Sequence, residues 1–205
     1  MHELLAGADW ERMELGDYYA EFEEIFWRIN ALGFWKLERR QTFKEPGYDS
    51  WEAFAAGDWE NSMGILEAGR SDMEGYHRRI AERGFSARRV RIVEEPISAY
   101  LQWELHALRV RDQSGGPIRV VGPEQVARFE AGGLLPEIYT LGSEVMYEAV
   151  YDEDGVLESV RRFADHELIL RCRQFIADLY AEGEPLEAFF AREVAVLSPP
   201  AGQRC

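Results

Sequence analysis

The chain has 205 residues, enough for one domain of ordinary size, and its 46% hydrophobic and 13% aromatic content argues against disorder. A formal net charge of −15, from 38 acidic against 23 basic residues, disfavours direct nucleic-acid binding, because phosphates need Lys and Arg to replace their counterions. Two cysteines, Cys172 and Cys205, are too few for a disulfide scaffold and fit a reducing cytoplasm, while the absence of a long apolar run or a basic leader gives no sign of a membrane span or secretion signal.

Residues 17–30 (DYYAEFEEIFWRIN) place Tyr18, Phe22, Ile25, Phe26 and Ile29 at helical spacing, with Glu21, Glu23 and Glu24 on the other face. Gly33 stops the pattern. FWKLERRQTF, 34–43, then alternates, with Trp35 and Leu37 on one face and Phe34, Lys36 and Glu38 on the other, as a strand does. A short helix over 50–56 carries Trp51 and Phe54. A longer helical run over 60–84 is weakened, or split in two, by Gly64, Gly69 and Gly75.

Residues 87–94 read as a strand with an apolar face (Val90, Ile92) and a basic one (Arg89, Arg91), broken by Pro96. After Pro96, Ile97, Tyr100, Leu101, Glu104 and Leu105 recur at helical spacing, and proline suits a first helical turn. The same residues also alternate as a strand would; helix is preferred. IRVV at 118–121 is a short strand, Pro123-Glu124 opens a helix ending near Gly132-Gly133, and 137–141 is another strand. Strands 144–151 and 156–163 form a hairpin through Asp152-Glu153-Asp154-Gly155. A helix over 166–182 closes the pattern, followed by a short apolar turn at 185–190.

Strands in runs, with few clear strand–helix–strand crossovers, predict an α+β fold. Its sheet is expected to be mostly antiparallel, of about five or six strands, with helices packed at the N- and C-terminal ends. The expected organisation is an acidic helical extension over 1–33, a single domain over 34–192 and a disordered tail over 193–205.

The common catalytic and nucleotide-binding motifs are missing, and none of the four histidines has metal-site spacing, so neither a metal nor a cofactor is expected. Cys172, mid-helix with no His partner, reads as a buried thiol. The acidic hairpin loop lacks the further ligands of a calcium site.

One constellation carries chemistry. Glu38, Arg89, Arg91, Tyr100 and Glu104 are the candidate catalytic residues, and Trp35, Trp103 and Tyr139 the candidate ligand-binding aromatics. A carboxylate beside arginine stays ionised, whereas one held among Tyr and Trp has a raised pKa and suits acid–base work. The plainer reading is that Arg–Glu pairs tie neighbouring elements and the aromatics pack.

The core Glu95-Pro96-x-x-x-Tyr100-x-x-x-Glu104 resembles an uncharacterised family of small actinomycete proteins. Leu37-Glu38, Trp51, Phe54, the strand from Arg89 to Arg91 and the Tyr139 to Leu141 segment extend the likeness across roughly residues 34–190. The resemblance implies no activity. It implies encoding beside helix-turn-helix regulators, in a regulatory or toxin–antitoxin-like setting. The acidic N-terminal helix and longer tail depart from that family pattern.

Two functions follow. The preferred one is a cytoplasmic interaction protein whose acidic surface meets a DNA-binding regulator. The alternative is a small-molecule enzyme or ligand-binding protein of a biosynthetic pathway, built on the Glu/Arg/Tyr constellation. The sequence carries no signal for oligomeric state, reaction or substrate.

Overall fold

The computed structural model describes residues 1–200. Among these residues, eight strands form one mixed sheet in the order β1-β7-β6-β5-β2-β3-β4-β8. The strands are β1 (Glu11–Glu14), β2 (Phe34–Glu38), β3 (Ala87–Ile92), β4 (Ile118–Val121), β5 (Ile138–Leu141), β6 (Val145–Tyr151), β7 (Leu157–Phe163) and β8 (Glu184–Pro185). β2, β3 and β4 run parallel, and every other pairing is antiparallel.

The α+β class is present, but the expected five or six mostly antiparallel strands with terminal helices are not. Helices occur throughout the chain: α1 (His2–Leu5), α2 (Leu15–Phe26), α3 (Asp49–Ala55), α4 (Trp59–Ala68), α5 (Arg70–Glu82), α6 (Ala99–Gln113), α7 (Pro123–Val126), α8 (His166–Glu182) and α9 (Leu186–Phe189). The connections β2–α3–α4–α5–β3 and β3–α6–β4 supply the crossovers that parallel pairing needs. The two additional strands are the sheet's edges. β1 is polar and largely exposed, and β8 is two residues long, so neither shows apolar alternation.

α8 covers one face of the sheet. Ile169, Cys172, Ile176 and Leu179 pack there on Leu37, Val90, Ile92, Ile138 and Met146. On the other face, Tyr18, Ile25 and Phe26 of α2 and Ile80 of α5 pack on Tyr139, Leu141, Tyr147 and Val160. Farther along that face, Leu101, Leu105 and Leu108 of α6 join Leu186 and Phe189 of α9 over Ile118 and Val120. Each such side chain contributes about 1.5–3 kcal/mol when fully buried. Between these two apolar areas, β2 and β3 present charge instead.

Residues 99–113 are helical throughout, although Tyr100 to Leu105 are all buried. A helix buried on every side shows little amphipathic contrast, which is why an alternating reading also fitted. The helix begins after Pro96 rather than on it: Ser98 is the cap, its Oγ accepting from the Leu101 amide at 3.1 Å. The long run over 60–84 divides at Gly69. Gly33 holds φ +75° where the chain enters β2, and a Cβ there would lie 2.6 Å from the Ser86 carbonyl oxygen. Of the segment expected to be a disordered tail, Ser198 O accepts from Gln102 Nε2 at 3.0 Å, and residues 201–205 lie outside the described residues.

Candidate functional site

Parallel register places Lys36 beside Arg89 and Glu38 beside Arg91. Alternation along the two strands turns all four side chains to the face covered by α5 and α6. Here Glu38, 3% exposed, accepts from Lys36 Nζ at 2.7 Å and from Arg89 Nη1 at 2.6 Å. Burial alone would raise the Glu38 carboxyl, but Arg89, Lys36 and Arg91 override it and hold it well below the usual carboxylate range.

Arg91 turns away from its strand neighbour and into α6. Its Nε and Nη2 donate to Glu104 Oε2 at 2.9 and 2.6 Å, and its Nη1 donates to the carbonyl of Ile92 at 3.1 Å. Burial lifts Glu104 to about 7, Arg91 opposes the shift, and Glu38 and Glu45 add to it. Tyr100, one helical turn before Glu104, donates its hydroxyl to Glu45 Oε1 at 2.6 Å. Burial, then Glu104 and Glu45, push that phenol far above its ordinary value.

Three of the candidate catalytic residues, Glu38, Arg91 and Glu104, therefore form a continuous buried network with Arg89 on its outer side and Tyr100 on its helical side. The aromatics divide. Tyr139 lies on the same sheet face, with Lys36 Nζ 5.7 Å from its ring centroid. Trp35 lies on the opposite face against α8, donates to Leu32 O at 2.8 Å and carries Arg88 at 4.9 Å over its ring. Trp103 stacks on Phe54 and donates to Ser50 Oγ at 3.0 Å, tying α6 to α3.

The structure adds residues that the sequence reading passed over. Arg111, seven positions after Glu104, lies near Arg89, Glu38, Tyr76 and Tyr48. Burial, reinforced by Arg89, lowers its guanidinium to about 10. Among the described residues no carboxylate pairs with it. His77 of α5 is 5% exposed, and both ring nitrogens lack a hydrogen-bond partner. Burial, then Arg111 and Arg89, depress it to about 4, so it is neutral at pH 7. A Cβ on Gly116 would lie 2.4 Å from the His77 ring and 3.0 Å from the Arg111 stem, so glycine is required for this packing. The helical spacing from Glu104 to Arg111 was the available signal, but the positions taken at that spacing ended at Leu105.

This arrangement concentrates positive charge. Arg91 is matched by Glu104, Lys36 and Arg89 share Glu38, and Arg111 has no carboxylate partner among the described residues. Lys36 retains 25% side-chain exposure and Arg89 15%, so solvent reaches the group. Aromatic rings flank it: Tyr139 beneath Lys36, and Tyr76 stacked 5.9 Å from Phe26. Among the described residues no group of His, Cys, Asp and Glu is arranged to hold a metal ion. Cys172 is buried, its thiol pushed up to about 11 by burial, which removes the thiolate needed of a nucleophile. Asp152 accepts from the amides of Asp154 and Val156, both at 2.9 Å, and so shapes its own turn. No helix among the described residues is long and apolar enough to cross a membrane.

Residues 20–191 match the model of a family described as a domain of unknown function, DUF6879. No curated protein matches the chain.

Proposed function

The chain belongs to the DUF6879 family, and we propose that it is a binding protein for an anionic small molecule with an apolar or aromatic body. The observation that carries this reading is an excess of cations over carboxylates on one face: Lys36 and Arg89 share Glu38, and Arg111 beside them pairs with no carboxylate among the described residues. An acidic chain that keeps an unpaired, half-buried guanidinium bears an electrostatic cost that an incoming anion relieves. Tyr76 and Tyr139 supply aromatic surface beside the cations. Binding is preferred to catalysis because Glu104, the group best tuned for proton transfer, is engaged by Arg91 inside the network.

Calorimetric titration with phenyl phosphate and benzoate tests the reading. At least one binds with a Kd below about 1 mM, and Arg111→Ala weakens it at least tenfold. Failure of both to bind, or unchanged affinity in Arg111→Ala, overturns it.

The same reading includes a cytoplasmic setting, an actinomycete origin and a helix-turn-helix regulator as protein partner. Support comes from the free buried Cys172, the sequence resemblance and the net charge of −15. Trp10 and Tyr19, both more than half exposed beside the acidic α2, favour a protein contact at the N-terminal edge. Copurification from the native cell should recover a DNA-binding regulator; its absence removes that partnership without touching the anion site.

A further inference from the structure

The anion site has more hydrogen-bond donors than the fold uses. Arg111, half-buried, makes no hydrogen bond among the described residues, yet none of its guanidinium nitrogens is sealed from solvent. Its stem is held: a Cβ on Gly116 would lie 3.0 Å from the Arg111 Cγ. Arg89 spends Nη1 on both oxygens of Glu38, each at 2.6 Å. Its Nε and Nη2 make no hydrogen bond among the described residues and also stay open to solvent. Tyr48 and Tyr76 lie close enough to Arg111 to act on its charge. Neither hydroxyl has a hydrogen-bond partner among the described residues; Tyr48 is 44% exposed, and the Tyr76 oxygen is not sealed from solvent.

Charge is in surplus as well. Lys36, Arg89 and Arg111 face the single carboxylate of Glu38, which leaves two positive charges unmatched. Arg91 is answered by Glu104. Around Tyr76, Glu23 and Arg79 offset each other, and Glu45, beside Tyr48, accepts from the Tyr100 hydroxyl at 2.6 Å. A half-buried guanidinium, with five N–H donors, rarely goes without an acceptor.

We propose that the ligand of this site is a small phosphomonoester, bound as its dianion. The inference rests on the anion-binding reading above and names the class of anion. A phosphomonoester brings nearly two negative charges, which match the two unmatched cations, and three strong acceptor oxygens. Those oxygens serve the Arg111 fork, the free Nε–Nη2 edge of Arg89 and the two phenolic hydroxyls together. A carboxylate brings one charge and two oxygens, so it leaves one guanidinium unanswered. The groups that meet the ligand are all reached by solvent, Lys36 and Arg89 through side chains 25% and 15% exposed.

The experiment is calorimetric titration of the full chain at pH 8 and low ionic strength with phenyl phosphate, phenyl sulfate, benzoate and inorganic phosphate, each alone. At that pH phenyl phosphate is a dianion, since its second pKa is about 6, whereas phenyl sulfate has the same tetrahedral shape and a single charge. Phenyl phosphate should bind at least tenfold more tightly than phenyl sulfate or benzoate, and at least threefold more tightly than inorganic phosphate. Lys36→Gln removes one surplus charge and leaves both guanidinium groups, so the preference for phosphate over sulfate should fall below about threefold. Arg111→Lys keeps the charge and loses the fork. It should weaken phenyl phosphate severalfold while the preference over sulfate persists, and it serves if Lys36→Gln fails to fold. Phenyl sulfate or benzoate bound as tightly as phenyl phosphate, or an undiminished preference in Lys36→Gln, overturns the phosphomonoester and leaves the anion site standing. Inorganic phosphate bound as tightly as phenyl phosphate overturns the ester. Binding of none of the four overturns this inference and the anion-binding reading together.

Discussion

Arg91 reaches from the sheet to Glu104 on α6 with two nitrogens on one carboxylate oxygen, at 2.9 and 2.6 Å, and neither partner sees appreciable solvent. The pair replaces apolar packing where the sheet meets the helix. Removing one partner leaves the other charge buried alone, which costs about 3–5 kcal/mol. Arg91→Met and Glu104→Leu should each destabilise by that order, measured by urea unfolding. The double variant should recover most of the loss. Single variants within about 1 kcal/mol of the parent chain would show that the pair carries no such penalty.

The network also fixes the sign of a pH response. Glu104 is raised to about 7 in the folded chain, so its contribution is fully present below its unfolded pKa, near 4.3, and is lost as pH rises through 7. Glu38 runs the other way: its carboxyl is depressed, so its stabilisation is present above the unfolded value and lost on acidification. Between about pH 5 and 7.5, Glu104 is the carboxylate of this pair that titrates, so Glu104→Gln should remove a downward slope in the urea midpoint across that window. An unchanged slope would contradict the assignment.

Acid sensitivity should also involve His77. Depressed to about 4, this imidazole contributes stability that is present above its unfolded pKa near 6.5 and falls away as pH drops through 4. NMR titration of the His77 ring should report a midpoint near 4 in the folded chain; a midpoint above 6 would contradict the buried, neutral ring.

Arg111 invites a substitution that strengthens the fold. Its guanidinium is crowded by Arg89 and pairs with no carboxylate among the described residues. Arg111→Met keeps the aliphatic stem and should raise stability by about 0.5–2 kcal/mol while abolishing anion binding, a trade common at functional sites. Loss of stability in thermal unfolding would indicate instead that Arg111 serves the fold.

At the junction of α3, α4 and α6, Ser62 Oγ donates to Ser50 O at 2.7 Å, and Trp103 Nε1 donates to Ser50 Oγ. Ser50→Ala strands a buried indole N–H and should cost about 1–3 kcal/mol by urea unfolding. Trp103→Phe in that background removes the stranded donor, so the two changes should be less than additive.

Much of the local structure was legible because single residues punctuate it: Asp165 caps α8, and Asp152 to Gly155 turns the β6–β7 hairpin, whereas the Ser98 cap of α6 was passed over in favour of Pro96. The charged face was legible too, since Lys36 and Glu38 alternate with Trp35 and Leu37. Strand direction was not. Arg89 and Glu38 meet diagonally only because β2 and β3 are parallel, and nothing local to either strand encodes that.

The sheet order has a kinetic corollary. β6 and β7 are joined by a tight turn and can zip locally, whereas β1 must find β7 across about 150 residues of intervening chain. The rim built by Glu11–Glu14 is thus a late arrival, and until it docks, β7 offers its outer backbone groups to any other extended segment nearby.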